Sequence, residues 1–188
     1  MLFLNISNHP SSGWDNRQVQ AALQLCLDPI NEVREPQIVD LPFPAVRPAD
    51  NLDEVAAQAR VFFKERVVPV IFQQLQPSCS HDIAYVCAMV MGEQTFALEL
   101  TALLEEHGIS VYAATTERVA VEKDGVKTSR FSFVRFRRVT KRFGGSGGMD
   151  KLLALLEREQ ARDETRKARA SLVEQLTALE GEINLKIL

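Results

Sequence analysis

Three short polar stretches of this 188-residue chain hold the side chains best suited to chemistry: Ser7-Asn8-His9-Pro10-Ser11, Gly92-Glu93-Gln94-Thr95 and Thr115-Thr116-Glu117-Arg118. In the first, an imidazole can exchange a proton near neutral pH, so His9 is a candidate to protonate a leaving oxygen while Ser7 and Asn8 orient a phosphodiester; a structural His9 bonded to a backbone carbonyl is the alternative. In the second, Gly92 lets an anion approach the backbone, and the amides with the Thr95 hydroxyl can face it. Glu93 reads either as a helix cap, a role Thr95 could also fill, or as a nucleophile or general base. In the third, two hydroxyls followed by Arg118 suit phosphate or ribose contacts. The sequence has no HExxH or CxxC pair and no Walker or GxGxxG glycine pattern, and its one GxSxG match, Gly144-Gly145-Ser146-Gly147-Gly148, falls in a Gly/Ser-rich stretch rather than at a strand-to-helix turn. No metal or cofactor is therefore expected.

The elements around these stretches follow from hydrophobic period. Ile83 to Val90 is a short apolar run and Phe96, Leu100, Leu103 and Leu104 recur at helical spacing, so Met91 to Thr95 is a strand-to-helix turn. Gly108 stops that helix and Ile109 to Ala114 is a second buried strand, completing a βαβ unit. Leu2 to Ile6 is another strand, followed by the Ser7–Trp14 loop, an Asp15 cap and a helix through Val19, Ala22, Leu23, Cys26 and Leu27. Ile38 to Leu41 is a strand ended by Pro42-Phe43-Pro44. Asp50 or Asn51 then caps a helix running toward Leu75, with a kink or break expected at Pro69. Arg118–Glu122 and Lys127–Val139 flank an Asp124-Gly125 turn and make a hairpin; Phe131, Phe133 and either Val134 or Phe136 face one way, with Arg130, Ser132, Arg135 and Arg137 mostly on the other. The fold class is α/β: a Rossmann-like, mostly parallel sheet flanked by helices, with a C-terminal β-hairpin. In such a sheet all three polar stretches lie at the carboxyl ends of the strands, where ligands bind.

Composition narrows the partners. Residues 1–116 hold 6 basic and 14 acidic side chains, which gives no reason to expect duplex nucleic acid, whereas residues 117–142 hold 9 basic and 3 acidic. That basic hairpin suits a small polyanion, or else is a solvated edge that resists aggregation. No apolar run reaches membrane-spanning length and the first residues lack a basic leader, so a cytoplasmic location without membrane contact is expected. Cys26, Cys79 and Cys87 lack ligand-like spacing and read as reduced packing residues.

The chain divides into a domain at residues 1–143, a Gly/Ser linker at 144–148 and a helical tail at 149–188. A methionine straight after Gly-Gly-Ser-Gly-Gly has the form either of a fusion junction or of a natural linker before an appended module. Leu152, Leu155 and Leu156, then Leu172, Leu176, Leu179 and Ile183, form apolar stripes that need a partner: a helical hairpin, or docking on another subunit or protein.

The segments LFLNISNHPSS, VMGEQTFALELTALLEEHGI, AATTERVAVEKDG and FSFVRFRRV resemble the small CRISPR-associated proteins related to CARF domains and ring nucleases, across roughly residues 1–140. The resemblance implies a CARF-like homodimer in antiviral defence that binds a cyclic oligoadenylate and opens it without metal, by attack of a ribose 2′-hydroxyl on the adjacent phosphate. Carried onto this chain, it implicates the Ser7–Ser11 loop and the Gly92–Thr95 turn. The assembled expectation has His9, Ser7 and Glu93 in catalytic roles, and Asn8, Ser11, Gly92, Gln94, Thr95, Thr115, Thr116 and Arg118 in ligand contacts. Two rivals are a nucleotide N-glycosidase or deoxyribosyltransferase-like enzyme using Glu93, and a non-catalytic nucleotide-binding adaptor that recruits a helical partner through residues 149–188.

Overall fold

The computed structural model describes residues 1–26, 35–75, 86–123, 126–140 and 148–187. In chain order the elements are β1 (Leu2–Ser7), α1 (Asn16–Leu25), β2 (Gln37–Pro42), α2 (Leu52–Phe62), α3 (Val68–Leu75), β3 (Val86–Met91), α4 (Gln94–Glu106), β4 (Ser110–Lys123), β5 (Val126–Arg138) and α5 (Gly148–Ile187). The strands form one sheet in the order β2-β1-β3-β4-β5. All neighbours are parallel except the β4–β5 hairpin. This is the expected α/β class, consistent with Rossmann-like winding.

Every residue of β1 is buried, because the central strand is covered on both faces and alternate side chains enter different cores. Leu2, Leu4 and Ile6 join Val86, Ala88, Val90 and Val111 under α2, α3 and α4. Phe3 joins Cys87 and Met89 beneath α1, which contributes Ala22 and Cys26. The split follows from chain order: β1 to β2 crosses on one face, while β2 to β3 and β3 to β4 run the other way and cross on the opposite face.

Local chemistry accounts for the boundaries. The Asp15 carboxylate accepts the Gln18 N–H at 2.8 Å and starts α1. Asn51 and Glu54 form a reciprocal capping box at α2. The break expected at Pro69 falls one turn earlier, as a π-helical turn over Phe63–Val67 closed by the Val68 N–H on Phe63 O. Pro69 crowds the carbonyl four residues before it, that of Glu65, and the wider turn makes room. Gly108 ends α4 at φ 80°, as a stop glycine should. The Ile83–Tyr85 part of the expected central strand, Leu27, Cys79 and the Asp124-Gly125 turn lie outside the described residues.

One expectation changes and one alternative is settled. The strand does not pause at Thr115–Glu117: β4 is continuous, and the irregularity is a bulge between Thr115 and Thr116 that leaves Val134 without a partner. The extra residue restores phase, so Phe133 and Phe136 share a face with ring centroids 5.0 Å apart and Val134 is exposed. Of the two forms open for the tail, a hairpin or a docking helix, the structure has a single helix. Its first turns close the main core, with Leu152 and Leu156 at 0% and 1% exposure. Gly148 lies so close to Glu106 O and Gly108 N that an added Cβ would stand 2.9 Å from each.

Lys151 also meets Glu106 at 3.0 Å and holds that carboxyl below its usual range, but both side chains are more than half exposed, so the pair contributes little beside the two leucines. The double substitution Leu152→Ala/Leu156→Ala should lower unfolding free energy by about 4 kcal/mol or more in urea titration. An appendage without a share in the core would leave the midpoint unchanged.

Candidate functional site at the carboxyl rim

β1 and β3 are adjacent, and the chain leaves them toward opposite faces, so the rim between them is the topological switch point where ligands enter sheets of this kind. The register aligns Ser7 with Pro42 on one side and Met91 on the other. The loops after β1, β2 and β3 therefore start at one level. Met89 pairs with Tyr112, so β4 crosses that level near Ala114 and then runs on to Lys123, roughly 30 Å as part of a two-stranded arm. Thr116, Glu117 and Arg118 lie at the foot of this arm, exposed.

The Ser7–Ser11 loop is built on Asn5, whose 1% exposure makes it a polar residue in the middle of a buried strand. Its Nδ2 donates to His9 O at 2.8 Å and to Asp40 Oδ1 at 2.7 Å. Its Oδ1 accepts the Ser7 hydroxyl at 2.7 Å, and Ser7 Oγ in turn accepts the His9 N–H at 3.1 Å. Asp40 accepts the Ser11 N–H at 3.0 Å and hydroxyl at 2.9 Å. Ser7 and Ser11 are thus engaged in bracing the loop, while Asn8 and the His9 ring remain exposed at its crest. Asn5 and Asp40 were not among the expected site residues. Their signal is a polar side chain interrupting an apolar run, Leu4-Asn5-Ile6 and Val39-Asp40-Leu41.

The turn after β3 does different work. Glu93 is the N-cap of α4, accepting the Thr95 N–H at 3.0 Å and the Phe96 N–H at 2.8 Å. Those bonds hold the carboxyl below its ordinary range and fill the helix terminus with an anion of the protein's own. A carboxylate so engaged is a weak base, and an incoming phosphate would have to displace it. Gly92 is required by packing: a Cβ there would stand 2.4 Å from the Phe43 ring, which stacks edge-on against Phe96 at 5.1 Å. An apolar ring thus occupies the place where close backbone approach to an anion was expected.

Beside the cap lies a cleft of about 530 Å³ lined by Val46, Arg47, Pro48, Asp50, Leu52, Val55, Glu93 and Thr95. Its volume is ordinary for a small-molecule pocket. Arg47 is tied to Asp50 at 2.8 Å, which raises its pKa. Together with Glu93, that pair leaves the cleft with one guanidinium and two carboxylates. Such walls favour a neutral guest with amino hydrogens over a phosphate. Gln94 is exposed beside it.

The expected residues therefore fall into three groups on one rim. Ser7, Asn8, His9 and Ser11 stand on the α1 face, and Glu93 and Thr95 on the α2–α4 face, with Phe43 packed against Gly92 on that second face. Thr115 donates to Arg135 O at 2.8 Å and braces the bulge, and Arg118 Nε donates to Ser129 Oγ at 2.8 Å. Arg118, Arg135 and Arg137 are exposed along the arm. Among the described residues no cluster of three or more His, Cys, Asp or Glu could hold a metal, and no helix is long and apolar enough to cross a membrane.

Residues 1–137, from β1 into β5, match the family described as Uncharacterized protein MJ1673 family. The chain belongs to that family. The match takes in all three rim groups and ends before α5. No curated protein and no solved structure matches the chain.

Two substitutions separate these roles. Gly92→Ala should destabilise the fold by about 1–3 kcal/mol, because the Phe43 ring must give way. Glu93→Gln should lower the melting temperature most near neutral pH. Its native pKa is depressed, so the wild-type advantage is full above the unfolded-state carboxylate pKa and disappears as pH falls through the native one. A melting-temperature difference independent of pH would remove the charged cap from this account.

Proposed function

We propose that the protein binds a cyclic oligoadenylate across the carboxyl rim of its sheet and cleaves it in the manner of a ring nuclease, within CRISPR type III antiviral signalling and as a CARF-like homodimer. The observation that supports this most is the hydrogen-bonded platform of Asn5, Ser7 and Asp40. It fixes the loop at the β1–β3 switch point and leaves His9 as the exposed titratable group at its crest. The resemblance of the same segment, LFLNISNHPSS, to ring nucleases and CARF-related proteins points the same way.

The division of the rim suits a macrocycle better than a mononucleotide. A ring lying across the strand ends can place phosphates near His9 and Arg118 on the α1 side while an adenine enters the cleft of Val46, Pro48, Leu52 and Asp50 on the other, the side that Arg135 and Arg137 face. Adenine is uncharged and carries an amino group, which matches a cleft whose carboxylates repel phosphate. Arg118, Arg135 and Arg137 supply the positive potential for the ring's anionic charge.

In the reaction the ribose 2′-hydroxyl gives its proton to solvent water and its oxygen bonds to the adjacent phosphorus as the bond to the 5′-oxygen breaks, leaving a 2′,3′-cyclic phosphate and a 5′-hydroxyl. His9 donates the proton the leaving oxygen needs. Neither rim loop contains a lysine, so that role rests on His9. Ser7 holds the loop that carries it.

Incubation with cyclic oligoadenylates of several ring sizes, read by mass spectrometry, should give linear products ending in cyclic phosphate. His9→Ala should slow cleavage about 100-fold with binding retained, and Arg118→Ala should weaken binding. Cleavage unchanged in His9→Ala would remove it from the mechanism; tight binding without product over hours would favour the adaptor reading. Release of free adenine, abolished by Glu93→Gln, would favour the glycosidase.

A further inference from the structure

Beneath the rim, on the α1 face of the sheet, Cys26 and Cys87 are free thiols buried to 0% and 3% exposure. They come from elements 61 residues apart in sequence, and their sulfurs stand 2.8 Å from one another. Neither takes part in the proposed cleavage. The distance is well inside ordinary sulfur–sulfur contact, and a disulfide needs only about 2.05 Å, so closure takes less than an ångström of side-chain adjustment. Phe3, Ala22 and Met89 surround the pair.

We infer that Cys26 and Cys87 are an oxidation site, forming a reversible disulfide that staples α1 to the centre of the sheet. The two positions differ in access. Cys87 sits mid-sheet, paired with Phe3 on β1 and Ser110 on β4. Cys26 is the C-cap of α1, so fraying of one helical turn brings it out. The hydrogen bond with Cys26, and burial after it, push the Cys87 thiol up and favour its protonated form.

With hydrogen peroxide as the two-electron oxidant, the Cys26 sulfur takes one peroxide oxygen, giving a sulfenic acid and one water. The Cys87 sulfur then attacks that sulfur; the S–O bond breaks, the S–S bond forms, and the Cys87 proton leaves with the hydroxyl as a second water. Dithiol reagents reverse the product. Because α1 begins just beyond the braced Ser7–Ser11 loop, the bond fixes that helix against the strand next to β1. This site is independent of the nucleotide reading.

The full chain should be treated with peroxide, alkylated under denaturing conditions and mapped without reduction, in parallel with melting curves. The expected result is a Cys26–Cys87 linked peptide, a mass 2 Da lower than that of the reduced chain, and a melting temperature higher by roughly 5–10 °C. Dithiothreitol should abolish all three, Cys26→Ser should remove them, and Cys79→Ser should retain them. Both cysteines still alkylated after oxidation, sulfinic acid in place of the link, a link through Cys79, or a lower melting temperature would each overturn the inference. The peptide map of the unsubstituted chain decides the case even if a variant fails to fold.

Discussion

A buried amide in the central strand sets the terms for the rim. Asn5 cannot leave its donors and acceptor unpaired at 1% exposure without a cost comparable to the stability of many small domains. The chain satisfies it by bending the next loop back, so that His9 O, Ser7 Oγ and the Asp40 carboxylate all converge on one side chain. What would otherwise be a mobile surface loop is thereby fixed to two strands at once. An apolar residue at that position would fill the strand equally well and leave the loop held only by the bonds of Ser7 to His9 and of Ser11 to Asp40.

The same rim shows how one sheet edge can offer two different surfaces. On the α1 face the hydroxyls and amides are consumed internally and an imidazole is left outward. On the opposite face Glu93 consumes the helix terminus, Phe43 closes over Gly92, and the remaining cleft is walled by Val46, Pro48, Leu52 and a fixed Arg47–Asp50 pair. Helix termini in such folds commonly receive phosphates. Here that place is taken by a carboxylate from the same turn, which shifts the proposed anion contacts toward the arm of β4 and β5.

Much of this was legible in the residues. The apolar runs of β1 and β3, the helical period of α4, the Asp15 cap and the Gly108 stop each follow from local rules, and the structure places them where those rules do. The division of labour at the site was less accessible, because it depends on contacts between distant segments. That Gly92 serves Phe43 cannot be read from Gly92, and that Ser7 and Ser11 are bracing groups requires knowing that Asp40 lies beside Asn5. The bulge at Thr115/Thr116 escaped for a related reason: a single inserted residue changes which of Val134 and Phe136 points inward without altering composition. The apolar stripes left the tail open between a hairpin and a docking helix, and helix-forming charged residues with pairs such as Arg166–Asp163 and Lys167–Asp163 carry the helix straight through.

That continuous helix has a mechanical consequence. At 1.5 Å per residue its 40 residues span about 60 Å. Leu152 and Leu156 seat it in the core, Glu159 to Lys167 pass over Phe72, and Leu172 and Val173 stand clear. It is a lever with its fulcrum against α3 and α4, so a tilt of a few degrees at the seat becomes a displacement of several ångströms at the free end.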